Sequence, residues 1–411
     1  MKQYEFVVKL LAACAVFCIL SVISANAAIS DLNTANKTIH VNTRGVAAPQ
    51  VQWEQTFGGS ANSTGRGVQQ TNDDGYIITG FTQSSANESQ KVYLLKTDSF
   101  GKKQWDQTFG GNIGNGTGRA VRQTVDGGYI IVGQTDSFSV GKLKAYLIKT
   151  DSSGNKQWEK TYGGNAVNYG ASVQQTTDGG YVFVGSTVVD SMPLVYLVKT
   201  DSSGKVQWEQ TFGNGIQNFG NSVWQSADGG YIIAGAKVQS SDQVYAYLVK
   251  TDSSGSMQWD QTYGGKGFNF ATSVQQTTDS GYVIGGVTNS SGPNQYFYLV
   301  KTDSSGAKQW DQTYGGKGLN LAHAVQQTTD GGYIMVGDTF VGGTSLLTAT
   351  GSHGYLVKTD SSGSMQWQET FGGNGNISGQ DVQQTKDGGY IIVGSTDSGH
   401  ASRLDVYLAK F

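Results

Sequence analysis

Cysteine is almost missing: the 411 residues hold two, Cys14 and Cys18, both within the first 20. The body of the chain therefore has no disulfide framework and no cysteine metal site, and packing must hold it together. Proline numbers three, and no helical period runs through residues 50–411. Charge is sparse at 14%, with 28 basic against 31 acidic residues and a net charge of −3. That leaves no basic excess to neutralise phosphates, which excludes nucleic acid as a partner. The four histidines, His40, His323, His353 and His400, show no ligand spacing, and His353 and His400 read as loop residues. No Gly-x-Ser-x-Gly elbow, phosphate loop or calcium-type acidic run occurs, so the sequence implies neither a metal nor a cofactor. What the chain has is glycine, 59 residues, together with 37% hydrophobic residues, enough for a packed core.

The first 27 residues read as a secretory signal peptide. Lys2 and Lys9 precede an apolar run from Leu10 to Ile23, and Ala25-Asn26-Ala27 offers a small-x-small cleavage site. Leu11-Ala12-Ala13-Cys14 is similar to a lipoprotein cleavage box, although the apolar run continues past Cys14. Cleavage after residue 27 removes both cysteines and leaves no transmembrane segment. Residues 28–49 read as a polar tether. Six Asn-x-Ser/Thr sequons, at Asn36, Asn62, Asn87, Asn115, Asn289 and Asn376, are glycosylation candidates in a host that modifies secreted proteins.

Self-similarity organises everything after residue 50. Seven tryptophans, Trp53, Trp105, Trp158, Trp208, Trp259, Trp310 and Trp367, recur at spacings of 52, 53, 50, 51, 51 and 57. One unit reads Gly170-Ala171-Ser172-Val173-Gln174-Gln175-Thr176, then Asp178-Gly179-Gly180, then Tyr181-Val182-Phe183-Val184-Gly185. After a variable stretch come Val195-Tyr196-Leu197-Val198-Lys199-Thr200, the turn Asp201-Ser202-Ser203-Gly204, and Gln207-Trp208-Glu209-Gln210-Thr211-Phe212. These are four β-prone runs separated by turns, with Asp to hold the backbone and Gly for positive φ. The middle two runs are continuously apolar, as strands covered on both faces are; the last alternates, as a half-exposed strand does.

Four antiparallel strands per unit, repeated seven times, predict an all-β, seven-bladed β-propeller over residues 50–411. The phase adds a test. The repeats open on a lone fourth strand, residues 51–57, and stop on a third strand, residues 406–411. Pairing between these two closes the last blade and leaves no free edge.

The phrase Asp-Gly-Gly-Tyr-Ile-Ile-Val-Gly … Tyr-Leu-Val-Lys-Thr-Asp-Ser-Ser-Gly-x-x-Gln-Trp resembles a repeat of secreted and cell-surface proteins of archaea and bacteria, often labelled lipoproteins or endoglucanase-like. The resemblance implies a propeller at the cell surface and says little of chemistry. Asp201-x-x-Gly204-x-x-x-Trp208 is also similar to the tryptophan-docking turn of quinoprotein dehydrogenases, one residue shorter. Those enzymes have eight blades, a calcium site and often paired cysteines; the similarity here implies the packing role of the tryptophan and not the cofactor.

A residue present in every unit reads as structural. That applies to the acids after the tryptophans, Glu54, Asp106, Glu159, Glu209, Asp260 and Asp311, and to Lys96, Lys149, Lys199, Lys250, Lys301 and Lys358, expected to be solvated. Function is expected where the period breaks. The constant turns share one face, and the variable connections (residues 60–65, 111–117, 137–144 and 338–354 among them) share the other, which is the expected binding face. In the innermost strands one position reads Arg66, Arg119, Ala171, Asn221, Thr272, His323 and Gln380. The next is small except for Asp381, and Arg122 and Trp224 interrupt a glutamine position. Arg66, Arg119, Asn221, Trp224, His323 and Asp381 are therefore the candidate ligand-binding residues at a channel mouth, and drift at a wet channel lining is the alternative account of the same residues.

The function expected is a non-enzymatic secreted or cell-surface module presenting loops to a protein, a glycan or other copies of itself. A carbohydrate-active enzyme of glycoside-hydrolase type is the competing expectation; it requires Asp381 and a second non-periodic acid to face each other across one cleft.

Overall fold

The computed structural model describes residues 41–42, 47–58, 62–85, 88–111, 114–138, 142–213, 217–341, 351–372, 375–397 and 403–411. The signal-peptide reading, Asn36, Asn87, His40 and His400 lie outside them. The described residues are all-β, without a helix.

The repeat unit folds as its pattern dictates. In one unit the strands Val167–Gln175, Tyr181–Val189, Met192–Thr200 and Val206–Phe212 form a four-stranded antiparallel sheet in chain order. Two β-branched and aromatic middle strands fill its centre. Val182, Phe183, Val184, Val195, Leu197 and Val198 are fully buried, each worth roughly 1.5–3 kcal/mol for a large apolar side chain. The turn after the first strand is tied by its aspartate: the Gly180 N–H and the Thr176 hydroxyl both donate to Asp178 Oδ1. In the second constant turn Asp201 Oδ1 accepts the N–H groups of Ser203 and Lys205, both at 2.9 Å. Gly204 is required there twice over: φ is +76°, and a Cβ would stand 2.8 Å from the Trp158 ring of the preceding sheet.

Three further sheets have this four-stranded plan, one of them completed by the strand Trp53–Phe57. That strand lies antiparallel to Asp405–Lys410, with Trp53 opposite Lys410 and Phe57 opposite Val406. An eight-stranded sheet consists of two such units linked by a short parallel pairing, Gln243 with Gly267 and Val244 with Phe268. The remaining sheet has a fifth strand on its outer edge: Val41 and Asn42 pair with Gln368 and Trp367. Within the stretch read as a tether, Ala48 is buried in the cluster that holds Trp367 and Phe411.

The core lies between sheets rather than inside them. Ile130, Val132 and Leu147 of one unit pack on Val173, Tyr181 and Phe183 of the next. The same relation joins Val393, Val406 and Leu408 to Val68, Tyr76 and Ile78. First strands touch first strands in succession, from Ser63–Gln70 through to Ile377–Gln384, which in turn touches Ser63–Gln70.

One sequence expectation fails. The repeated lysines are not solvated: Lys96, Lys149, Lys199, Lys250, Lys301 and Lys358, with Lys410, are among the most buried polar residues. Lys199 Nζ donates to Asp178 Oδ2 at 2.7 Å, to the Thr200 carbonyl at 2.9 Å and to Gln207 Oε1 at 2.9 Å. The ammonium fastens one constant turn to the third and fourth strands. A buried lysine needs this full set of acceptors to offset desolvation. The sequence signal was present: an aspartate opens the turn after the first strand in every unit that carries such a lysine.

Candidate functional site

The candidate residues sit on a shared irregularity of the first strands. The register to the second strand shifts between Gly65 and Gly67, Gly118 and Ala120, Gly170 and Ser172, Gly220 and Ser222, Ala271 and Ser273, Ala322 and Ala324, and Gly379 and Asp381. The extra residue in each β-bulge is Arg66, Arg119, Ala171, Asn221, Thr272, His323 or Gln380, the variable position found in the sequence. A bulge re-aims its side chain out of the ladder. Small flanking residues are required because the neighbouring sheet comes close: a Cβ on Gly65 would lie 2.5 Å from Val393 Cγ2.

Several of these side chains tie one sheet to the next. Asn221 Nδ2 donates to the Ala271 carbonyl at 2.8 Å, and the Thr272 hydroxyl donates to the Ala322 carbonyl at 3.1 Å. His323 Nε2 lies 2.9 Å from Asp338 Oδ2. Asp338 also accepts the Gly379 N–H at 2.9 Å and the Ser378 hydroxyl at 3.2 Å from the following sheet. Asp338 and His353 were read as loop residues. They lie instead within the strands Tyr333–Val341 and Gly351–Thr359, where His353 pairs with Thr339. The variable connection is correspondingly shorter.

Asp381 spans another junction. Its Oδ2 accepts the Val68 N–H at 3.1 Å and its Oδ1 the Val382 N–H at 2.9 Å. Desolvation pushes its carboxyl above the ordinary carboxylate range, opposed by the Arg122 guanidinium and by the two N–H groups. Ser222 does the same work with a hydroxyl, accepting the Val274 N–H at 3.2 Å. Trp224 is half-buried against Ile232, Leu248, Val274 and their neighbours.

The interruptions at Arg122 and Trp224 acquire a physical meaning from the glutamines around them. Gln69, Gln174, Gln275, Gln326 and Gln383 each accept, through Oε1, the backbone N–H of a glutamine in the next sheet: Gln123, Gln225, Gln327, Gln384 and Gln70. At the other two junctions the accepting position is Arg122 or Trp224. A second ladder is unbroken: Gln70, Gln123, Gln175, Gln225, Gln276, Gln327 and Gln384 accept the N–H of Lys386, Asn72, Val125, Thr177, Ala227, Thr278 and Thr329.

No protein-family model and no curated protein matches the sequence. Solved structures do. The polysaccharide lyase Uly1 is similar with a TM-score of 0.52 at 10% identity, over 84% of this chain and 89% of that one. The WD40 domain of Pan2 from Neurospora crassa gives 0.51 at 13% identity, over 85% and 89%. At these identities the likeness is one of fold alone. The fold is a β-propeller.

On this propeller His323 meets Asp338, and the Arg122 guanidinium favours the charged form of Asp381. Four sequon asparagines are described, and each accepts a backbone N–H: Asn62 from Leu404, Asn115 from Gln90, Asn289 from Phe268 and Asn376 from Ser352. The sequence reading missed Asp338, although a lone acid where other repeats carry Phe81, Gln134, Ser186, Ala236, Val287 and Ser395 was the available signal. Among the described residues no cluster of three His, Cys, Asp or Glu could hold a metal ion, and no helix is long and apolar enough to cross a membrane.

Proposed function

We propose that the chain is a seven-bladed propeller closed by its residues 51–57 on residues 406–411, secreted to the cell surface, and that it works as a non-enzymatic binding module. Closure is supported by the Trp53 to Lys410 register and by the Lys386 N–H reaching Gln70, the counterpart of six internal links. Secretion rests on the N-terminal sequence.

The observation that carries the binding reading is the ring of equivalent bulges. The same backbone irregularity, seven times over, carries Arg66, which is buried, and Arg119, Asn221, Thr272, His323 and Gln380, which are half-buried. An identical scaffold with non-identical side chains suits recognition. Two of the non-periodic acids are each held by backbone N–H groups, Asp338 by Gly379 and Asp381 by Val68 and Val382. That employment favours a structural role for both over a hydrolase acid pair. The partner is a surface protein or a glycan, with anionic groups favoured by the arginines.

A glycan array and a pull-down with the purified protein test this, alongside a variant carrying Arg66→Gln, Arg119→Gln and His323→Gln. Loss of binding in a variant that melts like the parent supports the reading. Binding unchanged by all three substitutions removes it.

A further inference from the structure

The constant-turn face departs from its own repeat most densely at one junction; elsewhere the departures stand singly, Ser280 at φ +67° in one turn and the exposed Val125 in another. Where five units carry serine (Ser153, Ser203, Ser254, Ser305, Ser362), the first carries Phe100, with 75% of its surface exposed. In the same unit Asp74 replaces the turn glycine and keeps its left-handed backbone, φ +63°. Lys386, at a position otherwise occupied by Asn72, Val125, Thr177, Ala227, Thr278 and Thr329, forms an ion pair with Asp74 at 2.6 Å. All three departures line a single cleft of about 520 Å³, together with Gln52, Trp53, Gln70 and Tyr76. The cleft lies between the strand Trp53–Phe57 and the unit that begins at Ser63.

None of these departures is explained by stability. Each partner of the Asp74–Lys386 pair is 60% exposed, so the pair contributes little to folding. An exposed phenylalanine in a tight turn gains no burial, and a non-glycine residue at positive φ is unfavourable. Convergence on one cleft points to a ligand.

We infer that this cleft is a binding site for neutral carbohydrate, with a sugar ring stacked on Phe100. The charges decide the class. Asp74 is matched by Lys386, and Asp387 by Lys410 at 3.0 Å, so the lining has no net charge to recruit an ion. It offers an apolar aromatic face beside the Trp53–Tyr76 pair, whose centroids are 5.8 Å apart, and a rim of two carboxylates, two ammonium groups and two amides. A sugar ring has a matching character, one C–H face and a hydroxyl periphery that both donates and accepts. The cleft shares no residue with the bulges and stands whether or not they bind anything.

The test is affinity electrophoresis of the purified protein through gels containing neutral polysaccharides (mannan, starch, laminarin, hydroxyethyl cellulose) or anionic alginate. The parent is expected to be retarded by at least one neutral polymer. Phe100→Ser installs the residue that five other units carry, so folding is preserved, and retention should weaken at least tenfold. Phe100→Trp should retain it. Three outcomes overturn the proposal: no retardation by any neutral polymer, retardation by alginate alone, or Phe100→Ser retained like the parent. A photo-crosslinker at position 100 that captures residues 1–46 of the same chain, or a second copy, also overturns it.

Discussion

Trp53 lies against Tyr76 with ring centroids 5.8 Å apart and planes inclined at 56°, and Trp105 meets Tyr129 at 5.9 Å and the same inclination. The first pair joins the N-terminal strand to the opening unit; the second is an ordinary contact between consecutive units. Every repeated tryptophan makes this contact with the tyrosine that begins the next unit's second strand, from Trp158 with Tyr181 to Trp367 with Tyr390.

Equal geometry implies equal energy. Trp53→Ala and Trp208→Ala should each destabilise by about 2–3 kcal/mol in urea unfolding, at the low end for tryptophan because both rings are half-exposed. Deleting residues 28–58 uncovers the strand Asp405–Lys410 and should cause aggregation or a sharply lower melting temperature. A truncated chain that melts like the parent contradicts the role assigned to the Trp53–Phe57 strand.

Lys199→Ala strips Asp178, Gln207 and the Thr200 carbonyl of a shared donor. The expected loss is about 2 kcal/mol, moderated because the Asp178 side chain is 53% exposed. Lys205→Ala, an exposed lysine in the adjacent turn, is the control and should fall within about 0.5 kcal/mol of the parent. Equal effects of the two substitutions in denaturant titrations would contradict the burial argument.

Acid should expose the same network. Burial alone would raise Asp126, but the Thr124 hydroxyl, Lys149 and the Gly128 N–H bring it down to about 2. Asp178 and Asp279 reach about 2 in the same way through Lys199 and Lys301. Asp387 does so chiefly through the Thr385 hydroxyl. Unfolded, these carboxyls titrate near 3.9. The unfolded chain therefore takes up protons first, so their stabilisation is complete above about pH 4 and disappears as pH falls towards 2. The urea midpoint should stay level from pH 7 to 5 and decline between pH 4 and 2. A midpoint level down to pH 2 contradicts it.

Arg122→Gln restores the accepting amide for the Gln175 N–H. The expected gain is about 1 kcal/mol, at the expense of the guanidinium beside Asp381. If Arg122 serves the bulge-ring site, this variant is more stable and binds an anionic partner more weakly, as when a functional residue displaces a structural one. Calorimetry and binding on the same preparation separate the two effects.

The sheets were legible because Trp-x-x-x-Phe, Asp-Gly-Gly and Asp-Ser-Ser-Gly each mark a strand end by its chemistry. The bulges were not, since an extra residue leaves no mark when both flanks are small. Arg66 and His323 were singled out only as a column of differences. The lysines misled because type alone suggested solvent, whereas Asp178 to Lys199 is a contact across three strands. Phe100 and Lys386 escaped notice because their turns counted as constant. Only proximity across the junction shows that they belong together.

The pairing of Trp53 with Lys410 also bears on biogenesis. The first strand of the repeat region to leave the ribosome finds its hydrogen-bonding partner in the last strand of that region. Until then its edge stays open, and the two segments must meet across the longest possible loop. Completion of that sheet should be the slow step of folding, and the stage at which a chaperone matters most.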